Sequence, residues 1–575
     1  MSEAQSDLSS PKYGYDFVVA VTQESVNAAL SEYLSTLNAP VVKMYWIYNA
    51  NSKPQQVTLE ELQALASGIV DPLTIPAGTP TSDPRIQTLA SAAVGFAFAF
   101  QAEIGLPPGY GGPGQSEYPR VVTFNQTGNS VQYSLMCSQF QVVNLGYLPA
   151  SRLSWLNESQ PSSDAWLFTS TVNLQNLTVG SEDYSQLPKA VQSQINNLGP
   201  GQFSVQQLLF DLDNAALESI PTISGVTPGS PLYSALSQVF LGAYFSQMQS
   251  SGQPVLAYSV PQSTGQVGTL IPTACNFMIS PFVTPSGQAK SNPSANELAV
   301  QTLCYECAAN GDNLPEAEPF TWNWIDVSES SQYDGVVAIN RNSFANCIAQ
   351  QLNENMYLSN VCFEPSVRVT VSTWGTVTYY WNAIAGQTPT QVNAPFSSPS
   401  TVLQYKYSAS AHDQAGVNGD MGRMRLSPNM TATVKFAMAS GGQPQVVVER
   451  NLTFYLYVRS LATSASGNVV NKTITDTYNL AVTSSGQLTA NLTSNTVNKS
   501  ITPSTNSFLN FWTDLNKITS SVANWANNLV ATDFTDLPLS VAQTFVFPGG
   551  SSFSFADVAF SENQDLVSHI TYTES

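Results

Sequence analysis

Charge is scarce in this chain. Asp, Glu, Lys and Arg make up only 10% of the 575 residues, where about a quarter is usual for a soluble protein. The 19 basic residues are outnumbered by 39 acidic ones, for a net charge of −20, and no basic run occurs. Phosphate binding needs clustered Lys and Arg, so nucleic acid is not expected as a partner. Docking on an anionic membrane by charge alone is disfavoured for the same reason.

Histidine is nearly absent, with only His412 and His569. A Ser-His-Asp nucleophile system would have to use one of them. His412-Asp413 falls in a polar stretch, SASAHDQAG, which reads as a loop; His569 falls in DLVSHITY, which reads as a closing strand. No G-x-S-x-G elbow is present. Neither a phosphate-binding GxxxxGK[ST] loop nor a G-x-G-x-x-G turn between strand and helix occurs, so no nucleotide cofactor is expected. The reading is of a protein with no catalytic residues and no cofactor.

The six cysteines, Cys137, Cys275, Cys304, Cys307, Cys347 and Cys362, form no disulfide framework. Cys304-Tyr-Glu-Cys307 is a lone C-x-x-C. Zinc would need a second ligand pair, and the 14-residue gap between Cys347 and Cys362 is a poor one. No metal site is expected, leaving a disulfide or plain thiols.

Long apolar runs are missing as well. Nothing approaches the ~18 residues of a membrane span. The longest stretch, Ala92–Phe100, reads as a buried strand or helix turn. The first residues, MSEAQSDLSSPKYG, have neither the basic nor the apolar region of a signal peptide. The N-x-S/T sequons, such as Asn125 and Asn451, therefore read as unmodified. The expected location is soluble, cytoplasmic or released without a classical signal.

What the chain does have is a 43% apolar fraction, enough for a sizeable core, in a length that predicts two or three domains. It also has an internal similarity. Tyr15–Leu34, YDFVVAVTQESVNAALSEYL, aligns without gaps to Tyr333–Leu352, YDGVVAINRNSFANCIAQQL, 318 positions on, with seven identities in twenty. In each copy a short apolar β-branched run is followed by an N-cap type, Thr22 or Asn340. A helix then carries one apolar stripe, Val26, Leu30 and Leu34 in the first copy and Phe344, Ile348 and Leu352 in the second. Each half thus opens with a strand feeding a helix.

Strands are expected after each helix. They include Val41–Tyr48, a hairpin of 120–124 with 131–135, an alternating segment Val367–Trp381 broken at Gly375, and 431–438, 446–458 and 478–488. Leu208–Ile220 and Leu232–Met248 read as amphipathic helices. The clearest helix is Phe508–Val530, with an aromatic stripe that includes Phe508, Phe511, Trp512 and Trp525. It reads as a helix lying on its own sheet, part of whose stripe lines a groove for an apolar ligand. Among acidic residues, Asp16 and Asp334 stand out because the repeat places them alike, just before each strand; their expected role is a local backbone bond there. Asp211 with Asp213 and Glu316 with Glu318 read as solvated surface.

The opening YGYDFVVAVTQESVNAALSEYL resembles that of the accessory proteins encoded beside clostridial neurotoxins. So do Asp533-Phe534, Leu537-Pro538-Leu539, Phe545-Val-Phe-Pro-Gly-Gly550 and Phe553-Ser-Phe555 near the other end. Those proteins belong to the tubular lipid-binding (TULIP) superfamily. The resemblance covers the two ends best and leaves about 149–319 unplaced. It implies modules in which a long helix is wrapped by a strongly twisted antiparallel sheet, with a hydrophobic groove between them and no catalytic set.

The combined expectation is an α+β protein of two related halves, each a long amphipathic helix packed on a twisted antiparallel β-sheet. The first covers 1–310, with a helical insertion around 200–252, and the second 320–575. The expected ligand-binding residues are Phe508, Phe511, Trp512, Leu515, Trp525, Leu30, Leu34, Phe344 and Ile348. The expected partner is lipid or another apolar molecule and, by the resemblance, another protein of a toxin complex. Two alternatives stay open: an interaction or structural scaffold with filled grooves, and a glycan-active enzyme whose aromatics Trp374, Tyr379, Tyr380 and Trp381 stack on sugars.

Overall fold

A computed structural model describes residues 2–113, 115–125, 128–148, 152–178, 206–224, 226–250, 272–354, 356–416, 421–460, 463–486, 488–499 and 552–573, with a few short pieces between. The fold is α+β, dominated by antiparallel strands with few helices.

A central sheet gathers segments from the whole length of the chain. Its order is Pro272–Ser280, Thr302–Ala309, Phe17–Thr22, Gly335–Ile339, Leu566–Thr573 and Ser552–Phe555, all pairings antiparallel. The two similar strands lie side by side at its middle, with Val19 directly opposite Val337, its own counterpart in the repeat. Both are buried throughout, which is why their apolar residues run on without the alternation of a half-exposed strand.

Each middle strand turns straight into a helix. Gln23–Thr36 is capped by Thr22, whose side chain accepts from Ser25 N at 3.2 Å. Arg341–Glu354 begins after Asn340, whose Oδ1 accepts from Asn342 N at 2.8 Å. The side-chain oxygens take up amide donors that a helix start leaves without partners. These helices have 14 residues each, about 21 Å of axis.

Asp16 and Asp334 act across this centre. Asp334 accepts from the Ser25 hydroxyl at 2.7 Å and from Tyr572 N at 2.7 Å. Asp16 accepts from the Ser343 hydroxyl and from Ala309 N, the latter at 2.7 Å. Each carboxylate therefore holds the first turn of the helix belonging to the other strand. The backbone repeats the exchange, with Thr22 N donating to Asp334 O and Asn340 N to Asp16 O, both at 2.9 Å.

Three further sheets surround the centre. Val42–Tyr48, Phe96–Ile104 and Cys137–Leu148 lie in a five-stranded sheet. Val122–Phe124 and Ser130–Leu135 form the expected hairpin within a six-stranded one. The longest strands, Gly422–Met438, Pro444–Ser460 and Thr463–Val482, form a meander in a seven-stranded sheet. Phe363–Val371 and Val377–Ala385 make a separate hairpin whose turn holds Gly375 at φ 74°.

Two segments depart from the sequence reading. Leu208–Ile220 is not a helix: Gln206–Ser219 is a strand paired with Phe168–Thr178. Its apolar residues at 208, 210 and 212 fit a period of two as well as a helical stripe, and the partner strand decides between them. The helical insertion around 200–252 is thus part strand, with helix from Pro231–Ala235 through a π turn to Leu241–Ser250. Ala411–Ala415, read as loop, is a short strand on Gly422–Met438.

The C-x-x-C motif lies on the buried strand Thr302–Ala309, and all six cysteines are free buried thiols. Side chains alternate along a strand, so Cys304 packs with Trp322 and Trp324 while Cys307 packs in the main core on the other side. The two cannot meet in a disulfide. Glu306 shares the Cys304 side. It is fully buried, and neither carboxylate oxygen has a hydrogen-bond partner among the described residues. Burial pushes its carboxyl up from 4.5 to about 8.

This raised value means that the folded state holds the proton more tightly than the unfolded one. The stabilisation is complete below the unfolded value and is lost as pH rises to about 8, at up to about 1.4 kcal/mol per pH unit. Glu306→Gln keeps the shape and removes the titration. The stability advantage of the variant is therefore expected to grow between about pH 5 and 8 in urea denaturation. A pH-independent difference would mean that Glu306 folds in its ionised form.

Candidate functional site

Four of the nine residues expected to line an apolar site are described. Leu30 and Leu34 lie on the helix Gln23–Thr36, and Phe344 and Ile348 on Arg341–Glu354. All four are buried in one large apolar cluster, which also takes in Met430, Val434, Phe436, Val446, Val448 and Leu452 of the meander. Phe344 lies 5.1 Å from the ring of Phe436, and Phe436 stacks at 4.9 Å on Phe560. Phe508, Phe511, Trp512, Leu515 and Trp525 lie outside the described residues.

The inward face of the meander follows directly from alternation. Along Pro444–Ser460 every second residue is buried, Val446, Val448, Arg450, Leu452, Phe454, Leu456 and Val458 in turn. The neighbouring strand sends in Ile474, Asp476, Tyr478 and Leu480. Three charged residues, Arg450 on this strand and Lys472 and Asp476 on its neighbour, thus occupy inward positions. Arg450 Nη2 and Asp476 Oδ2 are 2.6 Å apart, with both side chains 1% exposed. The Tyr357 hydroxyl also donates to Asp476 Oδ2, and Asn495 Nδ2 donates to Oδ1 at 2.5 Å. The guanidinium carbon stands 4.1 Å above the Tyr357 ring.

This polar group sits inside the main cluster, with Val448 and Leu452 on either side of Arg450 and Ile474 and Tyr478 on either side of Asp476. Further along the strands, Met424, Leu426, Phe454, Leu456 and Val458 form a second cluster that packs against the hairpin through Phe363 and Val369. Sequence reading missed the pair. Its signal was a charged residue at the inward phase of two alternating strands.

Residues considered for chemistry are otherwise engaged. His412 is exposed on its strand, and Asp413 Oδ2 accepts from Val369 N at 2.7 Å. Both line an open groove of about 730 Å³ with Arg423, Arg425, Tyr455 and Tyr457. The hairpin aromatics split between faces. Tyr379 and Trp381 pack inward, while Tyr380 points out and Trp374 stands at the turn, 93% exposed.

No family model and no curated relative matches the sequence. Among solved structures, P47 from Clostridium botulinum A2 matches at 10% identity and a TM-score of 0.44 over 97% of each chain. P47 of Clostridium botulinum E1 matches at 9% identity and 0.44 over 98% of this chain and 100% of its own. A lipopolysaccharide binding protein matches at 12% identity and 0.30 over 97% and 100%. All three TM-scores lie below 0.5.

Breaking a buried ion pair leaves one charge uncompensated, which typically costs about 3–5 kcal/mol. Arg450→Met is expected to lower unfolding stability by about that amount, and Arg450→Met with Asp476→Leu by clearly less. Equal losses in the single and double variants, measured by chemical denaturation, would show that the pair does not act as a unit.

Proposed function

We propose that this protein is a non-catalytic binder of lipid or another apolar ligand, held between helix and antiparallel sheet. The observation that carries this reading is the shared apolar cluster. The inward face of the long meander and the stripe of Arg341–Glu354 meet in it, and the aromatic stretch Phe508–Val530 follows soon after the last meander strand, Leu488–Lys499. In this reading Phe508, Phe511, Trp512, Leu515 and Trp525 complete the site as the face of a long helix, beside Leu30, Leu34, Phe344 and Ile348.

The same proposal treats the chain as a duplication, with halves 1–310 and 320–575. The pairing of Val19 with Val337 and the exchange made by Asp16 and Asp334 support it. The terminal motifs that resemble the clostridial accessory proteins support a toxin-associated setting. No catalytic role is part of the reading.

Native mass spectrometry of the purified chain, followed by organic extraction and lipid analysis, tests it. A co-purifying lipid in near-stoichiometric amount is expected, reduced in a folded Phe511→Ser/Trp512→Ser variant. A bare protein mass with no uptake from mixed liposomes overturns the ligand-binding reading. Unchanged lipid in the folded variant overturns the assignment of the aromatic stretch.

A specific contact favours a second reading. Phe344 is already covered by Phe436 and Phe560, as it would be in a scaffold whose grooves are filled by its own side chains. Concentration-dependent assembly without lipid, seen by light scattering, is the outcome that reading requires.

A further inference from the structure

Three segments remote in sequence meet at His569. The first is the short turn Glu3–Gln5, the second the turn Val327–Glu329, and the third the closing strand Leu566–Thr573. His569 is fixed on every side but one. Its backbone N donates to Asp557 Oδ1 at 2.8 Å, and its Nδ1 lies 2.7 Å from Asp557 Oδ2. Its ring stacks on Tyr333 at a centroid distance of 4.1 Å and an interplanar angle of 16°. The side chain is 8% exposed.

The remaining nitrogen, Nε2, has no hydrogen-bond partner among the described residues. It points at two carboxylates, 3.7 Å from Glu3 Oε2 and 3.9 Å from Glu329 Oε2. Among the described residues Glu3 Oε2 is likewise buried without a hydrogen-bond partner, and Glu329 Oε2 accepts from Asp326 N at 3.2 Å. The three atoms lie within 4.8 Å of one another.

When His569 is neutral, with its Nδ1 proton on Asp557, its Nε2 lone pair faces two anionic oxygens. Three electron-rich atoms then converge on one point, and either a proton on Nε2 or a bound cation supplies the positive charge that such a convergence favours. A carboxylate that fixes the tautomer of a histidine is also the usual arrangement behind a metal-bound imidazole.

We propose that Glu3, Glu329 and His569 form a binding site for a divalent transition metal of the zinc class. His569 Nε2 and one oxygen of each glutamate are the ligands, and Asp557 is the orienting group. Two carboxylates and a neutral imidazole balance a doubly charged cation. A nitrogen donor favours zinc or its neighbours over calcium and magnesium, which prefer oxygen. At bond lengths of about 2.0–2.2 Å a tetrahedral metal sets its ligand atoms about 3.4 Å apart. The observed 3.7 and 3.9 Å exceed this by an amount that glutamate rotation covers. Three protein ligands leave a fourth position for water. The metal would act as a clasp, joining the N-terminal turn and the segment before the second strand–helix unit to the closing strand.

The test is titration of the tag-free full chain, stripped with chelator, with Zn²⁺ by calorimetry and with Co²⁺ by visible absorption. About one equivalent is expected to bind, with a melting temperature that rises on Zn²⁺ addition. Glu3→Gln and Glu329→Gln should each weaken binding by about tenfold or more. X-ray absorption of the loaded wild type should show one imidazole and oxygen ligands, a readout that does not depend on how the variants fold. Absence of saturable uptake of either metal overturns the proposal and makes the cluster an imidazolium–carboxylate ion pair. Undiminished uptake in a folded Glu3→Gln/Glu329→Gln protein, or a thiolate sulfur in the absorption spectrum, overturns it by placing the metal elsewhere.

Discussion

The antiparallel pairing of Phe17–Thr22 with Gly335–Ile339 is the contact from which the rest of the molecule is hung. Both strands are buried, so their backbone groups can be satisfied only by neighbouring strands. Asp16 and Asp334 then fix the helices. Asp16 is buried and Asp334 half-buried, and each recovers the cost of leaving water only if both of its donors are present. One donor comes from the flanking strand and the other from the serine of the opposite helix. Neither strand–helix unit is therefore complete without the other.

In a chain with so few charges, those taken inside have definable tasks. Arg450 and Asp476 sit at inward positions of long strands, where a sliding register would separate them. The pair also places Tyr357, and with it the chain that leaves the helix Arg341–Glu354. Glu306 illustrates the opposite solution. Burial outweighs the nearby Tyr15 hydroxyl and pushes the Glu306 carboxyl up to about 8.

What could be read from the sequence was what local pattern encodes. The two strand–helix units, their caps at Thr22 and Asn340, the turn at Gly375 and the alternation of the meander all rest on residues a few positions apart. Leu208–Ile220 went astray because its apolar spacing serves two periods, and a strand some forty positions earlier decided between them. Leu30, Leu34, Phe344 and Ile348 were legible as buried, since a stripe identifies the covered face of a helix. What covers that face is set by Phe436 and Phe560, remote in sequence. The polar clusters were illegible for the same reason. Arg450 and Asp476 are 26 positions apart, and Glu3 and His569 lie near opposite ends of the chain.

The sheet order also carries a consequence for biosynthesis. Phe17–Thr22, apolar on both faces, pairs on its two edges with Thr302–Ala309 and Gly335–Ile339. At a ribosomal pace of about 5–20 residues per second, that strand waits roughly fifteen seconds to a minute before a partner emerges. During that interval it is an unpaired sticky edge, and the non-local closure that follows is intrinsically slow. Until then its apolar residues have no sheet to lie in, and association with other chains competes with native pairing at this strand first.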